Sequence, residues 1–236
     1  VVNNRPDGEA ADQVAGAEIA QACEAAGLAY RAIPITHAGF SEAQVNELVE
    51  RLEVHFLANQ EPRFYFALLG DFRDAQTEET PIDSVLLSVA QSGIDTLNQR
   101  HGEGRFHLFH RKRLWNSSEN KWMGWERKRG KLEEFNRLLR GARDTSFVVQ
   151  TADDALRQSI RYVITLDSDT VLPPDAAGLL IGALGHPLNR AVYEPEMGRV
   201  ARGYGILQPR VGISLPSVYS SEHSKDDAAE LAVLDA

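Results

Sequence analysis

Two aspartates separated by one residue, Asp167 and Asp169, stand at the end of an apolar, β-branched run from Tyr162 to Leu166. Such a run predicts a buried strand, and open α/β sheets bind their ligands where strands end. Neighbouring carboxylates repel each other, and a divalent cation with oxygen ligands, typically Mg²⁺ or Mn²⁺ carrying a diphosphate, compensates them. The spacing therefore favours a metal and diphosphate site, while a solvated turn after a strand explains the same residues without function.

A second group of chemically useful side chains lies between residues 111 and 131. This stretch holds eight basic and two acidic residues, a net charge of +6, together with all three tryptophans of the chain. Basic groups beside aromatic rings suit single-stranded nucleic acid, and they equally suit a nucleotide diphosphate and a sugar. A third interpretation is a solvated basic loop whose tryptophans fill the core. The residues are Arg111, Lys112, Arg113, Lys121, Arg127, Lys128, Arg129 and Lys131, with Trp115, Trp122 and Trp125. By its position, Arg111 is expected to lie nearer the solvent than Lys128.

The composition is that of a globular protein. The 236 residues suffice for one α/β domain or two small ones, and 43% are hydrophobic and 25% charged. The net charge of −9 argues against general nucleic-acid binding. A single cysteine, Cys23, excludes an intramolecular disulfide and fits a reducing compartment. Because the sequence has no signal peptide and no apolar run of about 18 residues, we expect no membrane span within it.

Strand and helix patterns alternate along the chain. Repeated β–α units imply an α/β fold with a mostly parallel sheet, covered by helices on both faces. Apolar runs ending at Asp71 and Asp167 should then bring both aspartates to one sheet edge. Strands are predicted at 1–4, 30–36, 64–69, 105–110 and 162–167, with an extended segment at 203–213. Helices are predicted at 10–26, from a capping box at Ser41, at 80–97 with Thr80 as N-cap, at 132–139 and at 175–184.

These residues carry a family resemblance. From about residue 30 to residue 224 the chain resembles the glucosyltransferase module of cyclic β-1,2-glucan synthases, which are large bacterial inner-membrane enzymes. The resemblance implies a GT-A (Rossmann-like) fold, similar to processive family-2 glycosyltransferases. It also implies inverting transfer of glucose from UDP-glucose to a growing β-1,2-glucan acceptor with Mn²⁺ or Mg²⁺. The matching stretches are LVERLEVHFLAN (48–59), FALLGDF (66–72), WMGWERKRGKLEEFNRLLRG (122–141), RYVITLDSDTVLP (161–173) and GYGILQPRVGISLPS (203–217).

The same resemblance suggests a role for individual residues. Asp169 would ligate the metal directly, and Asp167 would contact it through water or hold the ribose. Lys128 resembles the lysine of the family-2 Lys-x-Gly motif, near the diphosphate or uracil, and Asp71 the acidic residue on the uracil side. Gln208 resembles the glutamine that lines the acceptor channel of processive synthases. Each also has a structural alternative: a surface lysine for Lys128, a helix N-cap for Asp71 and an edge-strand polar residue for Gln208.

The resemblance also predicts a domain organisation. Residues 30–224 would be the donor half of a truncated GT-A-like domain and residues 225–236 a polar tail, while residues 1–29 match nothing in the module and form a strand–helix segment of unclear origin. The motifs expected to supply the catalytic base and an acceptor-binding tryptophan would fall beyond Ala236. The fragment would then belong to a larger membrane protein, on the cytoplasmic side of a bacterial inner membrane, and contact the membrane only through other parts of it.

Two alternatives to a complete transferase stay open. The chain can bind nucleotide sugar without turnover, because it lacks the acceptor half. It can also be a phosphatase of the haloacid-dehalogenase type, with Asp167 as nucleophile and Asp169 as acid/base. That second family needs a lysine and an acidic pair well downstream, where the sequence offers only Lys225, Asp226 and Asp227.

Overall fold

The computed structural model describes residues 2–3, 16–25, 31–32, 41–168, 170–209 and 229–236. Within these residues a five-stranded sheet forms the centre of the fold, and small two-stranded pairs lie outside it. In chain order the elements are β1 (Val2–Asn3), α1 (Gly16–Ala25), β2 (Arg31–Ala32), α2 (Glu42–Ala58), β3 (Phe64–Asp71), α3 (Asp83–His101), β4 (Phe106–Arg111), β5 (Leu114–Asn116), β6 (Lys121–Met123), α4 (Arg127–Leu139), β7 (Phe147–Gln150), α5 (Asp154–Ser159), β8 (Tyr162–Asp167), α6 (Ala176–Gly185), β9 (Val192–Glu194), β10 (Arg199–Arg202) and β11 (Ala229–Asp235).

The central sheet is mixed, with the strand order β7-β4-β3-β11-β8. Only β3 and β4 run parallel as neighbours, whereas β7 is antiparallel to β4 and β11 is antiparallel to both β3 and β8. The prediction of a mostly parallel sheet is therefore wrong. The reason is that β11 lies between β3 and β8, in the position that a parallel strand would occupy. Since β3 and β8 both oppose β11, they point in the same direction.

The strand β11 also corrects the expectation of a polar tail at 225–236. All seven residues of β11 are buried. Leu231 and Val233 face one core, and Ala232 and Leu234 face the other. Because both faces are covered, the strand lacks the alternation of apolar and polar residues by which half-buried strands are recognised.

Helices cover both faces of the sheet, as the sequence predicts. On one face α2, α3 and α6 pack on the sheet around Leu52 and Ile94, both fully buried. On the other face α4 and α5 pack around Phe109 and Phe135. Burial of these apolar faces is the main term that holds the three layers together.

Local sequence signals predict the start of α2 correctly but not the starts of α3 and α4. Ser41 forms the predicted capping box with Gln44 at the start of α2. Helix α3 begins later than predicted, because Asp83 turns back to bind both the backbone N–H and the hydroxyl of Thr80. Helix α4 begins earlier, at Arg127, so that Lys128 belongs to its first turn.

The C-terminal part departs most from the predicted elements. An antiparallel hairpin, β9 and β10, follows α6. An extended segment is predicted at 203–213. Residues 203–209 form no strand, and residues 210–213 lie outside the described residues. The N-terminal prediction is met by β1, β2 and α1 as far as these are described, with β1 and β2 parallel. In the described part of the chain, no helix combines the length and apolar character needed to cross a membrane.

Candidate functional site

Three carboxylates from three neighbouring strands meet at one edge of the sheet. Asp71 ends β3 and Asp167 ends β8, as predicted, and Glu230 of β11 lies opposite Asp167 in register, with Leu69 of β3 on its other side. The strand directions therefore put Asp71 and Asp167 on the same edge. Their charges would repel each other without cations nearby.

A fully buried arginine neutralises the β3 end of this edge. The Arg111 guanidinium donates from Nε to Oδ1 of Asp71 at 2.6 Å and from Nη2 to Oδ2 at 2.9 Å. Its Nη1 donates to Oε2 of Glu134 on α4 at 2.9 Å. Burial acts to lower the pKa of Arg111, but the carboxylates of Asp71 and Glu134 outweigh it and hold the pKa above its ordinary value. Arg111 is thus the opposite of the solvent-near residue predicted from its position.

A buried lysine links Asp71 to Glu230. The Lys131 ammonium lies 3.2 Å from Oδ2 of Asp71 and 2.6 Å from Oε2 of Glu230, and its side chain is fully buried. Burial raises the pKa of Glu230, and the nearby Lys131 opposes that rise. Because desolvated charges are stable only when paired, this cluster fixes α4 against β3 and β11.

Arg111 also holds the turn that precedes α4. Its Nη1 donates to the carbonyl of Trp125 at 3.2 Å and its Nη2 to the carbonyl of Arg127 at 3.0 Å. Within this turn Glu126 and Arg127 adopt left-handed backbone angles, with φ of 50° and 48°, which costs non-glycine residues energy and persists only where the surroundings enforce it. A Cβ at Gly130 would lie 2.0 Å from the Trp125 carbonyl oxygen, so the close approach requires glycine there.

This turn positions Lys128 beside Asp167 at the end of β8. Lys128 forms an ion pair with Oδ1 of Asp167, and both side chains are partly exposed, at 36% and 57%. Arg51 of α2 donates to the carbonyl of Ser168 at 2.9 Å, which fixes the turn after β8. Asp169, the second aspartate of the pair, lies outside the described residues.

The described residues contain no group of three or more histidine, cysteine or acidic side chains that would enclose a metal ion. The exposed Asp167 nevertheless fits an open site of the kind Mg²⁺ uses, in which one or two carboxylates are completed by substrate phosphates and water. Asp71 is less accessible, because its carboxylate is 7% exposed and engaged by Arg111 and Lys131. Its contact with a nucleobase stays a prediction.

The basic stretch is far less basic in three dimensions than in sequence. Of its eight cations, seven form ion pairs with carboxylates, mostly from other elements. Arg113, for example, is buried against Asp83. The tryptophans do not fill the core, since Trp115 and Trp125 are 49% and 39% exposed and Trp122 is half-buried. These observations exclude the interpretation of the stretch as a solvated basic loop whose tryptophans fill the core.

A cavity of about 750 Å³ adjoins the edge, between α2, α3 and the end of β3. Its walls are mainly apolar, and Asp71, Asp74, His110 and Arg113 are among the polar residues that line it. Burial lowers the pKa of His110 to about 4, so the imidazole is neutral near pH 7. His110 packs edge-on against Phe72 at 4.2 Å between ring centroids.

The buried His110 predicts a specific acid sensitivity. Its pKa is about 4 in the fold and near 6.5 when unfolded, so between these pH values the unfolded chain binds a proton that the fold excludes. Stability should therefore be lost as the pH falls from about 6.5 to 4, by up to about 1.4 kcal/mol per pH unit. Urea unfolding followed across this window should show a shallower slope for His110→Gln. A slope identical to that of the unsubstituted chain would contradict the assignment.

Gln208 is a predicted site residue with no recorded contact to this edge among the described residues. It lies in an exposed segment beyond β10, and among the described residues no hydrogen bond or ion pair joins it to Asp71, Lys128 or Asp167. An acceptor-channel role for Gln208 stays a prediction.

The site also contains residues that the sequence analysis did not single out. Lys131 and Glu134 lie on the same buried face of α4 as Phe135, Leu138 and Leu139. A cation and a carboxylate at helical spacing within an apolar face are a signal of buried ion pairing, because such residues are rarely buried unless paired. Glu230 gave no comparable signal.

Two similarities to known proteins bear on this edge. The chain is 51% identical over 174 residues to the cyclic beta-(1,2)-glucan synthase NdvB of Rhizobium meliloti (strain 1021). The alignment covers 72% of this chain and 6% of that protein, so the chain spans only a small part of its relative. Residues 1–73 match the model of the family described as beta-lactamase hydrolase-like protein, phosphatase-like domain. This second match includes residues 1–29 and also β3.

Proposed function

We propose that this chain is the donor-binding part of an inverting glucosyltransferase that takes glucose from UDP-glucose for the synthesis of a β-1,2-glucan. The observation that carries the proposal is the 51% identity over 174 residues to a cyclic beta-(1,2)-glucan synthase. The geometry of the sheet edge supports it, because Asp71, Lys128 and Asp167 gather where strands end. Ligands of open α/β sheets bind at this place.

Lys128 is the residue that we assign to the diphosphate. Its partner Asp167 is 57% exposed, and exposed ion pairs contribute little to stability, so the ammonium can exchange the carboxylate for a diphosphate oxygen. Lys128 also lies in the first turn of α4, where the free N–H groups of a helix favour anions. Stabilisation of the leaving diphosphate by such preorganised charge is commonly the largest catalytic contribution.

Asp167 and Asp169 are the residues that would hold Mn²⁺ or Mg²⁺. A divalent cation held there would supply Lewis-acid stabilisation of the charge on the leaving diphosphate. Asp167, once released by Lys128, would reach the metal through water or hold the ribose, and Asp169 would be the direct ligand. Arg111 and Lys131 hold the carboxylate of Asp71 in place beside the cavity, where we place the uracil side of the donor.

Replacing Lys128 by alanine tests this assignment. The loss of one hydrogen bond to a charged group should weaken UDP binding by about 1.5–3 kcal/mol, without a substantial change in melting temperature because the pair with Asp167 is exposed. The neighbouring Arg129→Ala is the matched control, since Arg129 is 73% exposed and pairs only with Glu126 among the ion pairs of the described residues. Isothermal titration with UDP and Mn²⁺ measures both. Equal, small losses in the two variants would reduce the role of Lys128 to diffuse electrostatics.

A second candidate function follows from the match of residues 1–73 to a phosphatase-like domain. That segment does not contain Asp167, so the match gives no support to a haloacid-dehalogenase mechanism based on this residue. The only cysteine of the chain, Cys23, lies within the segment but is 6% exposed on α1. Hydrolysis of p-nitrophenyl phosphate without affinity for UDP would favour a phosphatase over the transferase.

Transfer and donor binding are separable in the same assay. UDP binding without glucose transfer to an added glucan would identify the chain as a donor-binding part that needs further segments for turnover. Transfer in the same solution would identify it as a complete catalyst.

A further inference from the structure

We propose that the hairpin of β5 and β6 is a stacking platform for a neutral carbohydrate chain, with Trp115 as its main contact and Trp122 packed against it. The class of ligand follows from the surface itself, and the choice of a β-1,2-glucan as the particular chain rests on the proposed function. None of the roles assigned above uses these tryptophans.

The first observation is the exposure of large aromatic rings on a short, ordered element. Trp115 is 49% exposed and its neighbour Leu114 is 36% exposed on β5, and Trp125, two residues beyond β6, is 39% exposed. Trp115 and Trp122 face each other across the hairpin in an edge-on arrangement, with 5.9 Å between their ring centroids. Tryptophan is usually well covered in folded proteins, so the exposed ring of Trp115 on this hairpin indicates a contact surface.

The second observation is that the hairpin is rigidly attached to the sheet edge. The backbone of Trp122 exchanges two hydrogen bonds of 2.9 Å with Ala75, four residues beyond the end of β3. Asp74 binds Lys121 at 3.0 Å and Arg127 at 2.9 Å, so one carboxylate joins the hairpin to the turn that carries Lys128. A rigid aromatic surface loses little conformational entropy when a ligand stacks on it.

The third observation concerns charge. Lys121, next to Trp122 on the hairpin, and Arg127 of the following turn are each shared between the carboxylates of Asp74 and Glu119. This closed group of two cations and two anions offers no net charge to a phosphate backbone, which single-stranded nucleic acid requires. A neutral partner is therefore favoured over an anionic one.

A carbohydrate combines the features that such a surface recognises. One face of a sugar ring is lined with C–H groups that suit the negative face of an indole, while the hydroxyls at its rim can bond to the neighbouring carboxylates and ammonium groups. The area also fits, because the half-exposed indole of Trp115 offers on the order of 100 Å². A stable protein interface needs about 800 Å² per partner, several times more.

The experiment uses the full 236-residue chain and a linear β-1,2-linked glucooligosaccharide, with affinity measured by isothermal titration. We expect saturable binding that Trp115→Ala weakens about tenfold or more, while Trp115→Phe keeps most of it because an aromatic face remains. Tyr193→Ala, which removes an aromatic side chain that is 59% exposed on β9, is the matched control and should bind like the unsubstituted chain. Similar melting temperatures would show that each variant is folded.

Two results would overturn the platform. One is the absence of oligosaccharide binding, or binding that Trp115→Ala leaves unchanged. The other is tighter binding of an oligothymidylate of comparable length than of the oligosaccharide. UDP titrations with Mn²⁺ on the same samples separate this inference from the proposed function. Oligosaccharide binding without UDP binding would contradict only the donor site. UDP binding without oligosaccharide binding would contradict only the platform.

Discussion

Replacement of Arg111 by alanine is expected to destabilise the fold by about 3–5 kcal/mol, the cost of breaking a buried ion pair by removing one partner. The variant would leave the carboxylates of Asp71 and Glu134 buried without their shared cation. It would also leave two carbonyls, those of Trp125 and Arg127, without the donor that holds the left-handed turn. Small domains are stable by only about 5–15 kcal/mol, so the variant should lose much of its free energy of unfolding.

Two further variants make this expectation specific. Arg111→Lys keeps the charge but cannot reproduce the two-pronged contact with Asp71, so it should fall between the alanine variant and the unsubstituted chain. Arg129→Ala, which removes an exposed arginine of the same stretch, should change stability by less than about 0.5 kcal/mol. Urea unfolding followed by circular dichroism measures all three. If Arg111→Ala were as stable as Arg129→Ala, the buried network would not hold this edge together.

Replacement of Asp169 by asparagine is expected to abolish metal-dependent binding of UDP. Asparagine keeps the size of the side chain but removes the charge that a hard divalent cation requires. Asp167→Asn should have a milder effect, because a contact through water or to the ribose does not depend on a full charge in the same way. The melting temperature of Asp169→Asn should be unchanged or slightly higher, since a repulsive charge beside Asp167 is lost.

Asp175→Asn provides the control for this substitution. Asp175 has a left-handed backbone angle, φ 61°, at the start of α6, a conformation that asparagine also tolerates. UDP titrations with and without Mn²⁺ should therefore give this variant the affinity of the unsubstituted chain. Retained Mn²⁺-dependent affinity in Asp169→Asn would refute direct coordination. A large loss of melting temperature in that variant would make the Asp-x-Asp sequence a structural element.

The elements that the sequence predicts well are those with local signals. The period of Val45, Leu48, Val49 and Leu52 and the capping box at Ser41 define α2. The apolar runs before Asp71 and Asp167 define β3 and β8, and the shared direction of these strands brings their ends to one edge. Periodicity and capping act within a few residues, so they can be recognised in the sequence without knowledge of the fold.

The position of β11 could not be predicted in the same way. Its seven residues are buried on both faces and pair with strands that are far away in sequence. No alternation marks them, and their neighbourhood in the sequence is polar. The antiparallel strands β7 and β11 give the sheet its mixed character, whereas the repeated β–α pattern suggested parallel strands.

The charge of the basic stretch illustrates the same limit for the site. Eight cations within 21 residues suggest a basic surface, but Asp71, Asp83 and Glu230 reach them from other strands and helices. Lys128, by contrast, has an exposed partner, Asp167, in the described structure. Net charge in a sequence window predicts a surface potential only when partners outside the window are absent.

The most direct test of the donor site is calorimetric titration of UDP into the unsubstituted 236-residue chain, once with Mn²⁺ and once with EDTA. We expect saturable binding of one UDP per chain with Mn²⁺ and strongly reduced binding with EDTA, since the diphosphate and the aspartates both need the cation. No UDP binding under either condition by a folded chain, or binding that EDTA leaves unchanged, would contradict a metal-dependent nucleotide-sugar site at this edge.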